Sequence, residues 1–225
     1  MSEATLDAVR ISLLVATFGT IVCALIGTPL AWAVARAPRP LAAAVSAVTL
    51  LPLALPPTAV GYYLLWLLGR ESPTGRFLLD TVGLQLVFTW PGAAIAAAVV
   101  ALPLFVRTAI AGFEQLDEDL LLTARTMVSP PRAFLLVVLP LAWRSLLAAC
   151  VIAFARCLGE FGATVIVAAS IPGRTQTLPA AIYDATQAGN DARAHELALV
   201  ALAIGFVLIL ALTLLLGRAV KGAQP

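Results

Sequence analysis

Glu160 stands between two glycines in Leu158-Gly-Glu-Phe-Gly-Ala-Thr-Val-Ile-Val-Ala-Ala-Ser170, within an apolar run long enough to cross a bilayer. A charge at bilayer depth costs roughly 2.5–3.5 kcal/mol on insertion scales, so an intramembrane acid marks a functional position by default. Arg156 lies four residues earlier and offers a plain structural ion pair across one helical turn. The two readings are compatible. Gly159, Gly162 and Thr164 share the stretch and join Arg156 and Glu160 as candidate pathway or gating residues.

A second unusual stretch is Leu51-Pro-Leu-Ala-Leu-Pro-Pro-Thr-Ala-Val-Gly61. Proline removes a backbone donor and clashes with the preceding turn, so a helix here must kink or unwind. Backbone groups freed at membrane depth persist only when buried in protein or lining a water-filled cavity. An ordinary proline kink is the plain alternative. Pro56, Pro57 and Thr58 are the path-lining candidates.

The third stretch, 114–132, is Glu-Gln-Leu-Asp-Glu-Asp-Leu-Leu-Leu-Thr-Ala-Arg-Thr-Met-Val-Ser-Pro-Pro-Arg. Acids lead and a base follows, which suits the positive N-terminal end of a short helix beginning near Asp117. Pro130 and Pro131 end it. It is too polar to span, yet Leu120, Leu121, Ala124 and Met127 offer one apolar face. Such a helix fits a groove on another protein. Its acidic start argues against the alternative of a helix lying on anionic lipid headgroups.

Other chemistry is missing from the chain. It has no Gly-x-x-x-x-Gly-Lys-Ser/Thr loop for nucleotide phosphates and no Ser/His/Asp set. Cys23, Cys150 and Cys157 lie in apolar runs without metal-ligand spacing and read as packing residues. His195, the single histidine, sits in a polar stretch and reads as a surface side chain.

The elements that must position these residues are membrane helices. The chain is 61% hydrophobic and 12% charged, with a mean hydropathy of +1.00. A soluble domain carries far more polar surface. The net charge of +2 gives no reason to expect a nucleic-acid partner; membrane lipid is the expected surrounding. Five apolar runs, near 11–35, 41–68, 84–113, 141–169 and 197–217, each reach the ~20 residues a helix needs to cross ~30 Å of hydrocarbon. Period-2 alternation is missing, so helices rather than a closed barrel are expected. Glu3 and Asp7 precede Arg10, the wrong flank for a cleavable leader, so the first run reads as a retained span.

Orientation follows from the basic residues. Arg36, Arg39, Arg107, Arg125, Arg132, Arg144, Arg218 and Lys221 fall on one side; Arg10, Arg70, Arg76, Arg174 and Arg193 fall on the other. The richer side is cytoplasmic, giving N-out, C-in. A short extra helix has room in the outer loop 171–196. The expectation is an all-α integral membrane protein forming one transmembrane domain over residues 1–225, with a cytoplasmic segment at 114–134.

Three blocks resemble the permease subunits of binding-protein-dependent ABC importers, and the molybdate branch in particular. They are Ile26-Gly-Thr-Pro-Leu-Ala-Trp-Ala-Val-Ala-Arg36, the proline-rich 51–63, and Phe154-Ala-Arg-Cys-Leu-Gly-Glu-Phe-Gly-Ala-Thr164 continuing to Ile171-Pro-Gly-Arg-Thr-Gln-Thr-Leu178 and Ala181-Ile-Tyr-Asp184. The similarity covers nearly the whole chain. It implies a type I importer permease fold in a prokaryotic cytoplasmic (inner) membrane. It also implies a homodimer, a separate ATP-binding ABC subunit dimer, and an extracytoplasmic oxyanion-binding protein. No cofactor bound by this chain is expected; ATP and magnesium are used by the partner ATPase.

The resemblance makes Asp117, Leu120, Leu121, Ala124, Arg125, Thr126, Met127, Pro131 and Arg132 the ATPase-coupling set. The family's coupling motif is only partly kept. Ala124-Arg-Thr126 matches its centre and Val137-Val-Leu-Pro140 its tail. Leu122 stands where a glutamate is expected, Thr123 replaces the first alanine, and Val128 takes the glycine position, with the spacing to Val137 one residue short. Val128 cannot adopt the positive φ that glycine allows, so Ser129-Pro130-Pro131 is expected to make the turn. Tungstate, sulfate or thiosulfate are alternative cargoes. An ion-coupled secondary transporter working alone would show paired interrupted helices, and the sequence shows one proline-broken span.

Overall fold

The computed structural model describes residues 2–221, and the side chains of all of these except Arg125 and 212–221. Eleven α-helices are seen among them: α1 Glu3–Arg36, α2 Arg39–Ala54, α3 Pro57–Leu68, α4 Pro73–Val82, α5 Trp90–Glu114, α6 Glu118–Met127, α7 Pro130–Ala133, α8 Leu139–Leu158, α9 Gly162–Ala168, α10 Leu178–Gln187 and α11 Asp191–Lys221. A π-helical turn, Phe134–Val138, joins α7 to α8, so 130–158 is one continuous rod. Pro140 has no N–H to donate, and a longer-range bond from Leu139 N–H to the Phe134 carbonyl opens the turn.

Four helices are long and apolar enough to cross a membrane: Glu3–Arg36, Trp90–Glu114, Pro130–Leu158 and the Asp191–Ala211 part of α11. The bent pair α2–α3 makes a fifth if counted as one broken span. The expected five-span, all-α architecture is therefore present. Its boundaries differ where local chemistry intervenes. The third helix begins at Trp90, not near 84, because the Thr89 hydroxyl caps Gly92 N–H and Pro91 starts the helix. The fourth apolar run is not one helix to 169: it breaks at 159–161. The fifth begins at Asp191, before the apolar run.

The core is α1, α5 and α8. Small residues allow these helices to approach closely, as membrane helix packing requires. Ala93, Ala94, Ala97, Ala98 and Ala101 of α5 are all buried. A Cβ on Gly27 would stand 2.5 Å from the Phe105 ring, so only glycine fits there. By contrast Leu41, Val48 and Leu51 of α2, and Leu202, Phe206 and Val207 of α11, are exposed in the single chain. These faces suit lipid or a partner helix.

One end of the molecule gathers the N-terminus of α1, α10 and the start of α11. Ser12 Oγ accepts a hydrogen bond from Leu178 N–H at 2.7 Å, and Arg193 donates to Ser2 Oγ at 3.2 Å. α10 is the extra helix for which the outer loop had room. α4 has no counterpart in the hydropathy reading, although Ser72, which caps Gly75 N–H, and Gly83, in the left-handed conformation at its end, mark both termini.

Candidate functional site: two interrupted helices and a coupling surface

The break after α8 is made by Gly159, Glu160 and Phe161. Leu158 ends the helix, and Glu160 N–H bonds the Cys157 carbonyl at 3.2 Å in a last tight turn. Glu160 is 2% exposed, and its two oxygens have different partners. Oε1 accepts from Ala163 N–H at 2.8 Å, satisfying a donor that the start of α9 would otherwise leave orphaned. Oε2 lies 2.7 Å from the Arg156 guanidinium, whose side chain is 27% exposed. The acid is therefore not in a helix interior, as a continuous 141–169 span would have it; it caps a new helix. Thr164 is buried, and its hydroxyl bonds the carbonyls of Glu160 and Phe161. That ties it to the break and keeps it off any surface. Gly159 is exposed.

The second span is broken as well. α2 and α3 meet at 106° across Leu55 and Pro56, far beyond an ordinary proline kink. Pro57 opens α3, and Pro56, Pro57 and Thr58 are all exposed. The two breaks touch. A Cβ on Gly162 would stand 3.0 Å from Pro57 Cβ and 3.2 Å from Thr58 N, and one on Gly61 would stand 2.9 Å from Ala163 Cα and O. Glycine at 61 and 162 lets α3 and α9 pack backbone to backbone. Pro57, Thr58, Gly162, Glu160 and, through Glu160, Arg156 thus form one locus. The sequence reading showed a single interrupted helix; the second carries no proline and is signalled only by the glycines flanking Glu160.

At the opposite end, α6 follows its expected course. Asp117 caps it, accepting from Asp119 N–H at 2.8 Å and Leu120 N–H at 3.4 Å. Leu120, Ala124 and Met127 share one face, which lines a groove of about 410 Å³ with Leu136 and Pro140. Leu120 and Met127 are exposed there and Ala124 is buried, whereas Leu121 is buried and does not line the groove. Thr126 bonds the Thr123 carbonyl. Pro131 and Arg132 lie on α7 and are exposed; the Arg125 side chain lies outside the described residues. Val128 is extended, at φ −141°, and Pro130 starts α7. The turn needs no positive φ, so valine fits where the motif has glycine.

Sequence reasoning missed the anchor of α6. Arg36 lies 4.7 Å over the Trp32 ring and 3.7 Å from Glu118. Trp32 also meets Phe113 at 5.3 Å and Phe134 at 5.6 Å. The four-residue spacing of Trp32 and Arg36 was the available signal.

Residues 27–222 match the family described as the binding-protein-dependent transport system inner membrane component. The chain belongs to this family. It is 38% identical over 206 residues, 91% of this chain and 90% of the relative, to the molybdenum transport system permease protein ModB of Escherichia coli K12. Against the same-named protein of Azotobacter vinelandii it is 37% identical over 214 residues, 94% of each chain. The sulfate transport system permease protein CysW of Synechococcus elongatus is 32% identical over 94% of this chain and 74% of its own. Among solved structures, an inward-facing MetNI methionine ABC transporter chain superposes with a TM-score of 0.72 at 19% identity, covering 100% of both chains. The fold is that of an ABC importer permease, and the chain is a multi-pass inner-membrane component of such a transport system. Membership in this family removes the stand-alone secondary transporter.

Proposed function

We propose that this chain is the membrane-spanning subunit of an ATP-driven molybdate importer. The observation that carries it is the extent of similarity to molybdenum transport permeases, nine-tenths of both chains. In this reading two copies form the pathway with the N-terminus outside. A dimeric ATPase docks on α6, using exposed Leu120 and Met127 and the adjoining groove, and an external binding protein delivers the oxyanion. Force on α6 would pass through Glu118, Arg36 and Trp32 into α1, and through Phe134 into the rod that carries Arg156. Alternating exposure of the pathway then follows from rocking of the two halves.

The sulfate permease relative supports a second cargo of the same shape and charge. Uptake of radiolabelled molybdate, tungstate and sulfate into proteoliposomes holding the whole complex separates the readings, with calorimetry of the binding protein as a check. Molybdate uptake dependent on ATP and on the binding protein is expected. Uptake of sulfate alone would overturn the molybdate assignment.

A further inference from the structure

We infer that Arg156 is the oxyanion contact of the pathway and that Glu160 is its exchangeable counter-ion. The inference rests on the oxyanion-importer reading and adds a binding role that the fold alone does not assign.

The depth of Arg156 is set by its neighbours. Cys157 packs at Gly19, inside the apolar run 11–35 of α1 and beside Ala94 near the start of α5: a Cβ on Gly19 would stand 2.9 Å from the Cys157 sulfur and 3.2 Å from the Ala94 carbonyl oxygen. The start of α9 touches Pro57, the first residue of the 12-residue α3. At ~1.5 Å per residue that helix covers about half of a ~30 Å hydrocarbon core. Between Arg144 and Arg174 the chain has no other basic residue. A guanidinium 27% exposed within the apolar runs is unfavourable against acyl chains, so its open side must face water or protein. The pathway candidates Pro57 and Thr58, which meet Gly162 two residues beyond Glu160, are exposed.

The two oxygens of Glu160 have separate partners, so one can be given up while the other is kept. Breaking a buried ion pair by removing one partner leaves an uncompensated charge, which is the costly event. Here Oε1 stays bonded to Ala163 N–H while Oε2 holds Arg156. When a tetrahedral dianion arrives, the guanidinium can turn to it with bidentate N–H donors. Arg156 is never left bare, while Glu160 keeps only its amide partner, and the cost of that loss draws the carboxylate back to the guanidinium. Return of the carboxylate then competes the anion off, which keeps the site weak and releases cargo.

The test uses the purified permease–ATPase complex, with and without its binding protein, and radiolabelled molybdate as probe. In Glu160→Gln the amide oxygen still accepts from Ala163, but the charged competitor is gone. Saturable molybdate binding to the complex without binding protein should become about tenfold tighter or more than in the wild type. Adding Arg156→Gln should abolish that binding and lower uptake by about tenfold or more. Uptake by the assembled double variant equal to wild type would reduce Arg156 to a structural partner of Glu160 and overturn the inference. So would a folded Glu160→Gln complex with no gain in oxyanion binding. A wild-type complex that takes up no oxyanion at all would instead overturn the importer reading on which the inference rests.

Discussion

Gly61 of α3 and Ala163 of α9 lie in backbone contact: a Cβ on Gly61 would stand 2.9 Å from both the Cα and the carbonyl oxygen of Ala163, and 2.9 Å from Ile166 Cβ. Two helices that each begin at a break in a membrane run are thereby locked into one pair. The pair is closed off by Val60, Val167, Ala96 and Val100, which form a small buried cluster with α5, and Phe88 N–H bonds the Val167 carbonyl at 3.0 Å. It is a compact unit within the larger helix array.

Widening that contact is the most direct test of the unit. Gly61→Ala forces backbone apart rather than a flexible side chain, and overpacking of this kind costs about 1–3 kcal/mol. The expected result is a lower thermal midpoint of the purified complex by differential scanning fluorimetry and reduced transport, with Gly61→Val worse than Gly61→Ala. An unchanged midpoint in both variants would mean that α3 and α9 separate freely.

The two oxygens of Glu160 predict a graded stability series. Glu160→Ala removes the cap on Ala163 N–H and leaves Arg156 without its ion-pair partner, a loss of the order of 3–5 kcal/mol for a buried pair. Glu160→Gln loses the ion pair in the same way but retains the cap. The thermal midpoint should therefore fall further for alanine than for glutamine, while the affinity of the isolated binding protein for oxyanion stays the same. Equal midpoints would show that the capping bond contributes nothing.

How far the sequence revealed this arrangement depended on the kind of signal each element carries. Hydropathy is a sum over many residues, so the long spans were legible, and the acids ahead of Leu120 placed α6 within a residue of its observed start. Pro52, Pro56 and Pro57 announced the first break because proline acts through its own backbone. The second break was not legible, because Gly159 and Gly162 lie in a hydropathy profile that runs smoothly from 141 to 169. What ends the helix there is a tertiary demand, the close approach of α9 to α3. Likewise the apolar residues of α6 read as one face, but only the packed structure sets Leu121, which is buried, apart from Leu120, Ala124 and Met127, which line the groove. Arg36 over Trp32 was readable from their four-residue spacing, whereas the reach of Arg36 to Glu118 on α6 depends on tertiary placement that no local pattern encodes.

That division of α6 separates docking from folding. Leu120→Asp with Met127→Asp places two charges on the open groove without touching the buried residues, so the permease should keep its thermal midpoint and lose co-purification with its ATPase. Deleting residues 120–128 should abolish co-purification outright. A complex that survives both changes would remove α6 as the docking element. Conversely Leu121→Asp buries a charge without a partner and should destabilise the permease itself, a failure visible by size-exclusion profile before any ATPase is added.

A last prediction concerns the loop that follows α9. Asp184 accepts hydrogen bonds from Ser170 at 2.5 Å and from Gln176 at 2.8 Å, and Thr175 Oγ1 accepts from Ile171 N–H, so segment 169–177 is tied to α10 by side chains rather than by a regular ladder. Ala169 holds φ at +58°, a conformation that a non-glycine residue keeps only when its surroundings enforce it. Asp184→Ala removes both side-chain acceptor bonds at once. Each bond to a charged acceptor is worth about 1.5–3 kcal/mol, so amide hydrogen exchange across 169–177 should accelerate while α1, α5 and α8 keep their protection. Because Phe161 stacks 5.0 Å from Tyr183, next to Asp184, the same change should also reach the break at 159–161 and lower transport. Exchange confined to wild-type rates in the loop would show that backbone bonds alone hold it, and that Asp184 is dispensable to the shape of the outer end.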